Sequence, residues 1–298
     1  MKCLFIINPY SGKGKSITLC ESLKARIKEI PISCIFTYTE YAQHATALAL
    51  QASKQGVDVV VVLGGDGTLH EAANGLLQNP DNRTALSVCP VGTGNDFAAA
   101  YQLRGQVDSL INRLCHPKYS WQDVIELQDA CGWRTYCVSM CGIGFDAFIA
   151  REANIKKKSG RRGKLIYLTA ALRAIRRYRP VNIQFHYNGI NRTETMLSMA
   201  LGIHKTNGGG LMQCPHAVPD DGFIAVTLIR PLTLPDVLQA LPKLFTGKLH
   251  THKKVEVFQT KMITLESAVT VPVETDGEDA GILPVKAIIL PGALRVMI

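Results

Sequence analysis

The stretch VDVVVVLGGDGTLHEAANGLL, Val57 to Leu77, constrains the fold more than any other part of the chain. Asp58 to Leu63 reads as a strand, and from Val59 on it is entirely apolar. A strand without polar alternation must be covered on both faces, as in a parallel sheet lying between helices. Gly64, Gly65 and Gly67 then strip the strand end of side chains before a helix begins. Such a loop lets backbone N–H groups approach a ligand, and the following helix N-terminus favours phosphate. Thr68 and Glu71 have capping-box spacing, which predicts a helix from about Leu69. Asp66 sits in the middle of the loop, where a carboxylate would repel phosphate unless a divalent cation lay between them. It reads as a magnesium partner or as a base for a hydroxyl. Taken by itself, G-G-D-G is equally well a tight turn with a capping aspartate.

The motif has companions. The first strand, KCLFIINP, ends in NPYSGKGKS, and a later strand, TALSVCPVG, ends in PVGTGNDFAAA, with Thr93, Asn95 and Asp96. Neither common nucleotide fingerprint is present. A P-loop needs glycine where Pro9 stands, and no G-x-G-x-x-G is followed by an acid about 20 residues on. Three glycine-rich strand ends on one sheet edge nevertheless favour phosphate chemistry over simple turns.

Strands and amphipathic helices alternate over the first part of the chain. One helix has Leu19, Leu23, Ile27 and Ile30 on one face. After Trp121 short strands and turns dominate, as in an antiparallel sandwich. The expected architecture is α/β plus β: residues 1–120 form an open parallel-sheet nucleotide domain, and 121–291 a β-sandwich domain. The last strand, about 292–298, is a candidate to return to the first.

The 298 residues suffice for one large or two ordinary domains, and 47% hydrophobic content excludes a disordered chain. No apolar run approaches the ~18 residues of a membrane span, and MKCLFIINPYSG reads as a first strand rather than a leader. The nine cysteines show no zinc spacing and read as reduced core thiols, giving a cytoplasmic expectation. The net charge of +9 is local, since Arg151 to Arg179 holds eleven lysines and arginines and one acid. Lys156, Lys157, Lys158, Arg161 and Arg162 form a polybasic loop there, before a helix near 163–178 with Leu165, Leu168, Leu172 and Ile175 on one face. The density of charge suits anionic lipid headgroups at a membrane's inner face, at roughly 1 kcal/mol per basic residue. No zinc finger, helix-turn-helix or RNP pattern supports nucleic acid.

NPYSGKGK, GGDGTLHEAANGL, PVGTGNDFA, GIGFDA, PDDGFIAV and TDGED occur in this order across nearly the whole chain. Together they resemble the diacylglycerol kinase catalytic-domain family, which includes bacterial lipid kinases and sphingosine and ceramide kinases; GGDGT alone would also fit NAD kinases. The resemblance implies the two-domain fold above, with ATP and Mg²⁺ used to phosphorylate a lipid hydroxyl. It implies nucleotide contacts at Asn8, Ser11, Gly12, Thr39, Gly64, Gly65, Asp66, Gly67, Thr68 and Thr93. It makes Asp66 and Asp96 acids of the reaction centre and Glu278 the general base. Asp221 matches an acid that binds a structural magnesium with nearby carbonyls, here those of Val218 and Phe223, although Asp220 and Asp221 alone read as a turn. Lys15, Asp123 and Lys164 match a charged network. His70 departs from the pattern: bacterial diacylglycerol kinases usually carry Asn there, and sphingosine-type members often His.

The leading expectation is thus a lipid kinase at an anionic membrane surface, acting on diacylglycerol or a related lipid. A sphingosine- or ceramide-type kinase, a kinase of a soluble substrate such as NAD, and a non-enzymatic nucleotide sensor or nucleic-acid binder are the alternatives. A homodimer is compatible with the sequence.

Overall fold

The computed structural model describes residues 1–28, 30–158 and 177–298, and for residues 153–158 the backbone only. The chain divides into two compact units, Met1–Gln122 with Gly292–Ile298, and Asp123–Pro291.

In the first unit, β1 (Lys2–Ile7), β2 (Ser33–Tyr38), β3 (Val59–Gly64) and β4 (Ala85–Pro90) form a parallel sheet in the order β2-β1-β3-β4. Helices α1 (Lys15–Ile27), α2 (His44–Lys54) and α3 (Asp66–Leu77) connect them, and α4 (Asp96–Ala100) and α5 (Val107–Cys115) follow β4. The order reverses at β1, with β2 on one side and β3 on the other. The crevice beyond the carboxyl ends of β1 and β3 is therefore a topological switch point, where open α/β sheets bind ligands. Phe5, Ile7, Val61 and Leu63 pack with Leu23 and Ile27 of α1 and with Leu110 of α5. Helices α2 and α3 meet so closely that a Cβ on Gly75 would lie 2.2 Å from the Thr46 carbonyl oxygen, so only glycine fits.

The C-terminal segment completes this unit. Val296 pairs in parallel with Leu86 of β4, the Ser87 hydroxyl donates to the Met297 carbonyl at 2.8 Å, and the Ile298 N–H donates to Lys118 at 2.9 Å.

The second unit begins within β5 (Tyr119–Asp129) and continues through β6 (Arg134–Cys137), β7 (Met140–Gly144) and α6 (Phe145–Lys158). Next come β8 (Val181–Tyr187), β9 (Ile190–Met196), β10 (Ser198–Gly202), β11 (Ile224–Ile229) and α7 (Leu234–Thr246). It closes with β12 (Val255–Thr260), β13 (Met262–Glu266), β14 (Pro272–Thr275), β15 (Glu278–Ile282) and the part of β16 (Val285–Met297) up to Pro291. One antiparallel sheet runs β12-β11-β10-β7-β14-β15, and β9-β8-β13-β16 forms a second antiparallel path. A single core joins them, with Ile125, Phe185 and Ile263 from one side and Ile143, Leu201 and Val226 from the other. Two sheets closing one apolar core is sandwich packing.

Several local readings differ from the structure. Helix α3 begins at Asp66, three residues before Leu69, and the capping box is not formed: Thr68 Oγ1 accepts from the Asn8 amide and Glu71 Oε2 from the Ala45 N–H. Both side chains are spent on tertiary contacts. RTYCVSMCGIG is two strands, β6 and β7, which enter different sheets, and RTETMLSMALGI likewise divides into β9 and β10. An unbroken apolar run hides such a sheet change, because both halves face the same core. VKAIILPG and LRVMI are instead one strand, β16. All nine cysteines are free, but Cys115 and Cys131 are exposed rather than core residues. Of the helix expected near 163–178 only Arg177 and Tyr178 are described; Arg161, Arg162 and Lys164 lie outside the described residues, as do the side chains of Lys156, Lys157 and Lys158.

Candidate active site

The three glycine-rich loops of the first unit interlock. Asn8, just past β1, donates from its side-chain amide to Thr68 Oγ1 at 2.9 Å, and its N–H donates to the Leu63 carbonyl of β3. Its carbonyl accepts from the Ser16 hydroxyl at 2.6 Å and from the Ser11 N–H at 3.1 Å. The turn Ser11–Gly14 takes left-handed geometry at Gly12 (φ 59°), and a Cβ there would lie 2.5 Å from the Val91 carbonyl oxygen after β4. At Gly92 an added Cβ would come 2.7 Å from the Gly65 Cα. Glycine is needed at both positions because the loops touch backbone to backbone.

A cavity of about 310 Å³ opens beside these loops at the switch point, lined among others by Asn8, Tyr10, Thr39, Tyr41, Thr68 and Glu71. Thr39 is held at the end of β2 by its N–H, which donates to Ile7 at 2.8 Å. Three of the expected nucleotide residues, Asn8, Thr39 and Thr68, thus line one cavity.

Asp66 and Asp96 meet at the loop after β4. Asp66 Oδ2 accepts the Asn95 N–H at 2.6 Å, and Asn95 adopts the left-handed conformation (φ 58°) as the N-cap of α4. A Cβ on Gly94 would lie 2.7 Å from Asp66 Oδ2 and 3.4 Å from Asp96 Oδ2. The two carboxylates therefore converge on Gly94, a position in that loop without a side chain. Thr93 and Gly94 are exposed, while Asp96 is buried at the start of α4. Two acids at a glycine-lined helix N-terminus have the charge and donor chemistry to engage a metal-bound polyphosphate. His70 is buried in α3 with its ring 3.3 and 3.5 Å from the Asn74 amide. Lys15 is exposed at the start of α1.

In the second unit Glu278 opens β15 directly after a two-residue turn. Thr275 pairs with Glu278 across it, and Asp276 (φ 52°) and Gly277 (φ 86°) both take positive φ, as the tightest hairpin turns require. Glu278 is exposed. The turn beneath it is clamped twice. Asp276 accepts the N–H groups of Val138, Ser139 and Met140 at 3.0, 2.8 and 3.1 Å, and Glu274 Oε2 accepts the Gly277 N–H at 2.6 Å. Arg151 of α6 holds the far end of the hairpin through Asp279 and the Gly281 carbonyl, both at 2.6 Å.

Sequence reasoning did not single out the buried groups under this hairpin. Glu274 and Asp146 flank Gly142 of β7, where a Cβ would meet Glu274 Oε1 at 2.6 Å and the Asp146 Cβ at 2.9 Å. Burial pushes the Glu274 carboxyl well above its ordinary range, and neighbouring Asp276 and Asp146 add to that. Burial also raises Asp146, opposed by hydrogen bonds from Ser198 and Gln213. His204, bonded to the Ser139 hydroxyl at 3.2 Å, is lowered to about 4 by burial. The available signal was a glutamate inside the otherwise apolar strand VPVET.

Val218, Asp221 and Phe223 share one turn. Asp123, buried, ties it down: its N–H donates to the Pro219 carbonyl at 2.7 Å and its Oδ2 accepts the Gly222 N–H at 2.6 Å. Asp221 is exposed, with Oδ1 accepting the Phe223 N–H at 3.0 Å and Oδ2 the Gln259 amide at 3.1 Å. Among the described residues no three His, Cys, Asp or Glu side chains cluster to hold a metal. The donors at this turn are instead the exposed carboxylates of Asp220 and Asp221 with peptide carbonyls. That chemistry fits Mg²⁺, which keeps several waters and needs few protein oxygens.

Residues 2–127 match the model of the diacylglycerol kinase catalytic domain, and residues 139–298 that of the YegS C-terminal NAD kinase beta sandwich-like domain. A diacylglycerol kinase of Mycobacterium tuberculosis is 27% identical over 305 aligned positions, covering 99% of this chain and 94% of that protein. One from Staphylococcus saprophyticus is 26% identical over 279 positions, 94% of this chain and 89% of its own. The crystal structure of a diacylglycerol kinase from Bacillus anthracis shares the fold with a TM-score of 0.75 at 20% identity, over 99% of this chain and 96% of that one. Since the two domain models follow one another through nearly its whole length, the chain belongs to the diacylglycerol kinase family and is an enzyme of the lipid kinase class.

Proposed function

We propose that the enzyme transfers the γ-phosphate of ATP, with Mg²⁺, to a hydroxyl of diacylglycerol or a closely related lipid at an anionic membrane surface. The observation that carries this reading is the convergence of Asp66 and Asp96 on Gly94, beside a switch-point cavity lined by Asn8, Thr39 and Thr68. Backbone N–H groups of the loops and the α3 N-terminus bind phosphate oxygens. Asp66 and Asp96 would hold the nucleotide's magnesium, and Asp221 with the Val218 and Phe223 carbonyls a structural ion. Bound Mg²⁺ supplies charge neutralisation at the phosphates. Glu278 accepts the proton of the lipid hydroxyl as its oxygen attacks the γ-phosphorus and ADP leaves. A solvent-accessible carboxylate on a doubly clamped hairpin suits that role, since a base must be both reachable and held.

The test is phosphate transfer from γ-³²P-ATP to mixed micelles of diacylglycerol, ceramide, sphingosine and monoacylglycerol, with NAD as a soluble competitor and Asp66→Ala as control. Label on diacylglycerol that disappears in the variant supports the reading. Label on sphingosine or ceramide would move the substrate to the class suggested by His70, and label on NAD alone would sink the proposal.

A further inference from the structure

Helix α7 carries more apolar surface than the second unit covers. Its inner edge is fixed: Ala240 is buried in a cluster with Leu249 and Val255, and Leu244 packs on that cluster. The Leu244 carbonyl accepts the Met212 N–H at 2.8 Å. Its start is fixed as well, by a capping box between Thr233 and Asp236 and by Lys254, which reaches Asp236 at 2.6 Å. Yet Leu234, Leu238 and Phe245 stand 64%, 69% and 55% exposed. Spaced four and seven residues apart, they form one stripe along the helix. An isolated exposed leucine needs no explanation, but a stripe of three on a rigidly anchored helix does.

The charge beside the stripe indicates what covers it. The segment from Leu234 to Lys254 holds four lysines and one acid, Asp236, and that acid is already paired with Lys254. Lys248 and Lys253 are exposed and follow the helix within its next turns, with His250 between them. An apolar stripe ending in a basic loop matches the interfacial region of an anionic bilayer, where apolar side chains enter the acyl boundary and lysines meet headgroups. A protein partner would satisfy the leucines but leave the excess of lysine without a reason.

We propose that α7 is a membrane-docking element, with Leu234, Leu238 and Phe245 inserted into the interface of an anionic bilayer and Lys248 and Lys253 on its headgroups. The proposal rests on the lipid-kinase reading for its purpose, but its measurement does not. Binding to vesicles is read without ATP and without turnover.

The experiment compares the full chain with Leu238→Ser/Phe245→Ser in cosedimentation with phosphatidylglycerol vesicles and with phosphatidylcholine vesicles. The expected result is strong binding to the anionic vesicles only, weakened about tenfold or more in the variant, with thermal unfolding unchanged because both side chains are exposed. Turnover on detergent-dispersed diacylglycerol stays within about twofold. If that activity is absent in both proteins while the binding difference holds, the substrate reading fails and the docking surface stands. In a second arm, Phe245→Trp shows a blue-shifted emission on vesicles, quenched by lipids brominated on the acyl chain. Unchanged vesicle binding in the double variant, or no emission shift, overturns the proposal. So does a variant that alters only the oligomeric mass, which would make the stripe a contact between copies of the chain.

Discussion

The N–H of Asn95 donates to Oδ2 of Asp66 at 2.6 Å, so the loop after β4 holds the acid of the loop after β3. The bond fixes where the Asp66 charge points without neutralising it. Asp66→Asn keeps an oxygen to accept the Asn95 N–H but removes the charge. We expect kcat to fall at least about a hundredfold, with the ATP dissociation constant and the unfolding temperature little changed. Steady-state kinetics beside calorimetric ATP titration checks this.

Gly94 separates Asp66 from Asp96. A methyl group there would stand 2.7 Å from Asp66 Oδ2, and only rotation of the carboxylate relieves the contact. Gly94→Ala should cost about tenfold in kcat with normal stability, since the position is exposed. Gly12→Ala should instead lower stability, by about 1–3 kcal/mol. There the clash is with the Val91 backbone at 2.5 Å, and φ is 59°. Urea unfolding of both variants separates the two outcomes.

Asp276 lies in the hairpin turn and Glu278 directly after it, and the effects expected of replacing them are opposite. Glu278→Gln should lower kcat by about 10² to 10⁴ and leave the unfolding midpoint in place. Asp276→Asn has to satisfy three N–H groups with a single amide oxygen, and should lose about 2–3 kcal/mol of stability. An Asp276 variant as stable as wild type would mean that the clamp carries no weight.

The buried acids give a pH signature with a definite sign. The Glu274 carboxyl titrates well above its ordinary value of 4.5 in the folded chain. As pH rises past 4.5 the unfolded chain releases this proton while the native one retains it, so the contribution to stability falls until the folded pKa is passed. Glu274→Gln abolishes this term, and its stability relative to wild type should therefore climb with pH above about 4.5. His204, lowered from 6.5 to about 4, acts oppositely: it costs stability as pH falls from 6.5 toward 4. Unfolding measured from pH 5 to 8 in wild type and Glu274→Gln isolates the glutamate, since His204 contributes equally to both.

The parallel sheet was legible because Val59 to Leu63 and its companion strands carry an unbroken apolar signal, and glycine marks each strand end that must approach another. The sandwich was legible as a class but not in its connections. Nothing between Cys137 and Met140 announces a change of sheet; the reason lies at Asp276, 136 to 138 residues away, whose carboxylate captures the amides of that turn. The same distance explains why Thr68 and Glu71 were misread. Their spacing is that of a local cap, but Asn8 and the Ala45 N–H outcompete the helix end for them. Asp66 and Asp96 could be named from their loops, whereas their meeting at Gly94 required the register of β3 and β4.

The strand segment Gly292–Ile298 carries a consequence for synthesis. It pairs with β4 through Leu86, yet it follows the whole second unit in the sequence. During translation β4 therefore waits as an open edge, with the Ser87 hydroxyl lacking the Met297 carbonyl that it bonds in the finished protein. The first unit cannot be finished first and the sandwich added later; the segment that pairs with β4 arrives only after the whole second unit has been translated. The first unit thus has a complete sheet only once the second unit exists, so a chain terminated before Gly292 cannot close that sheet.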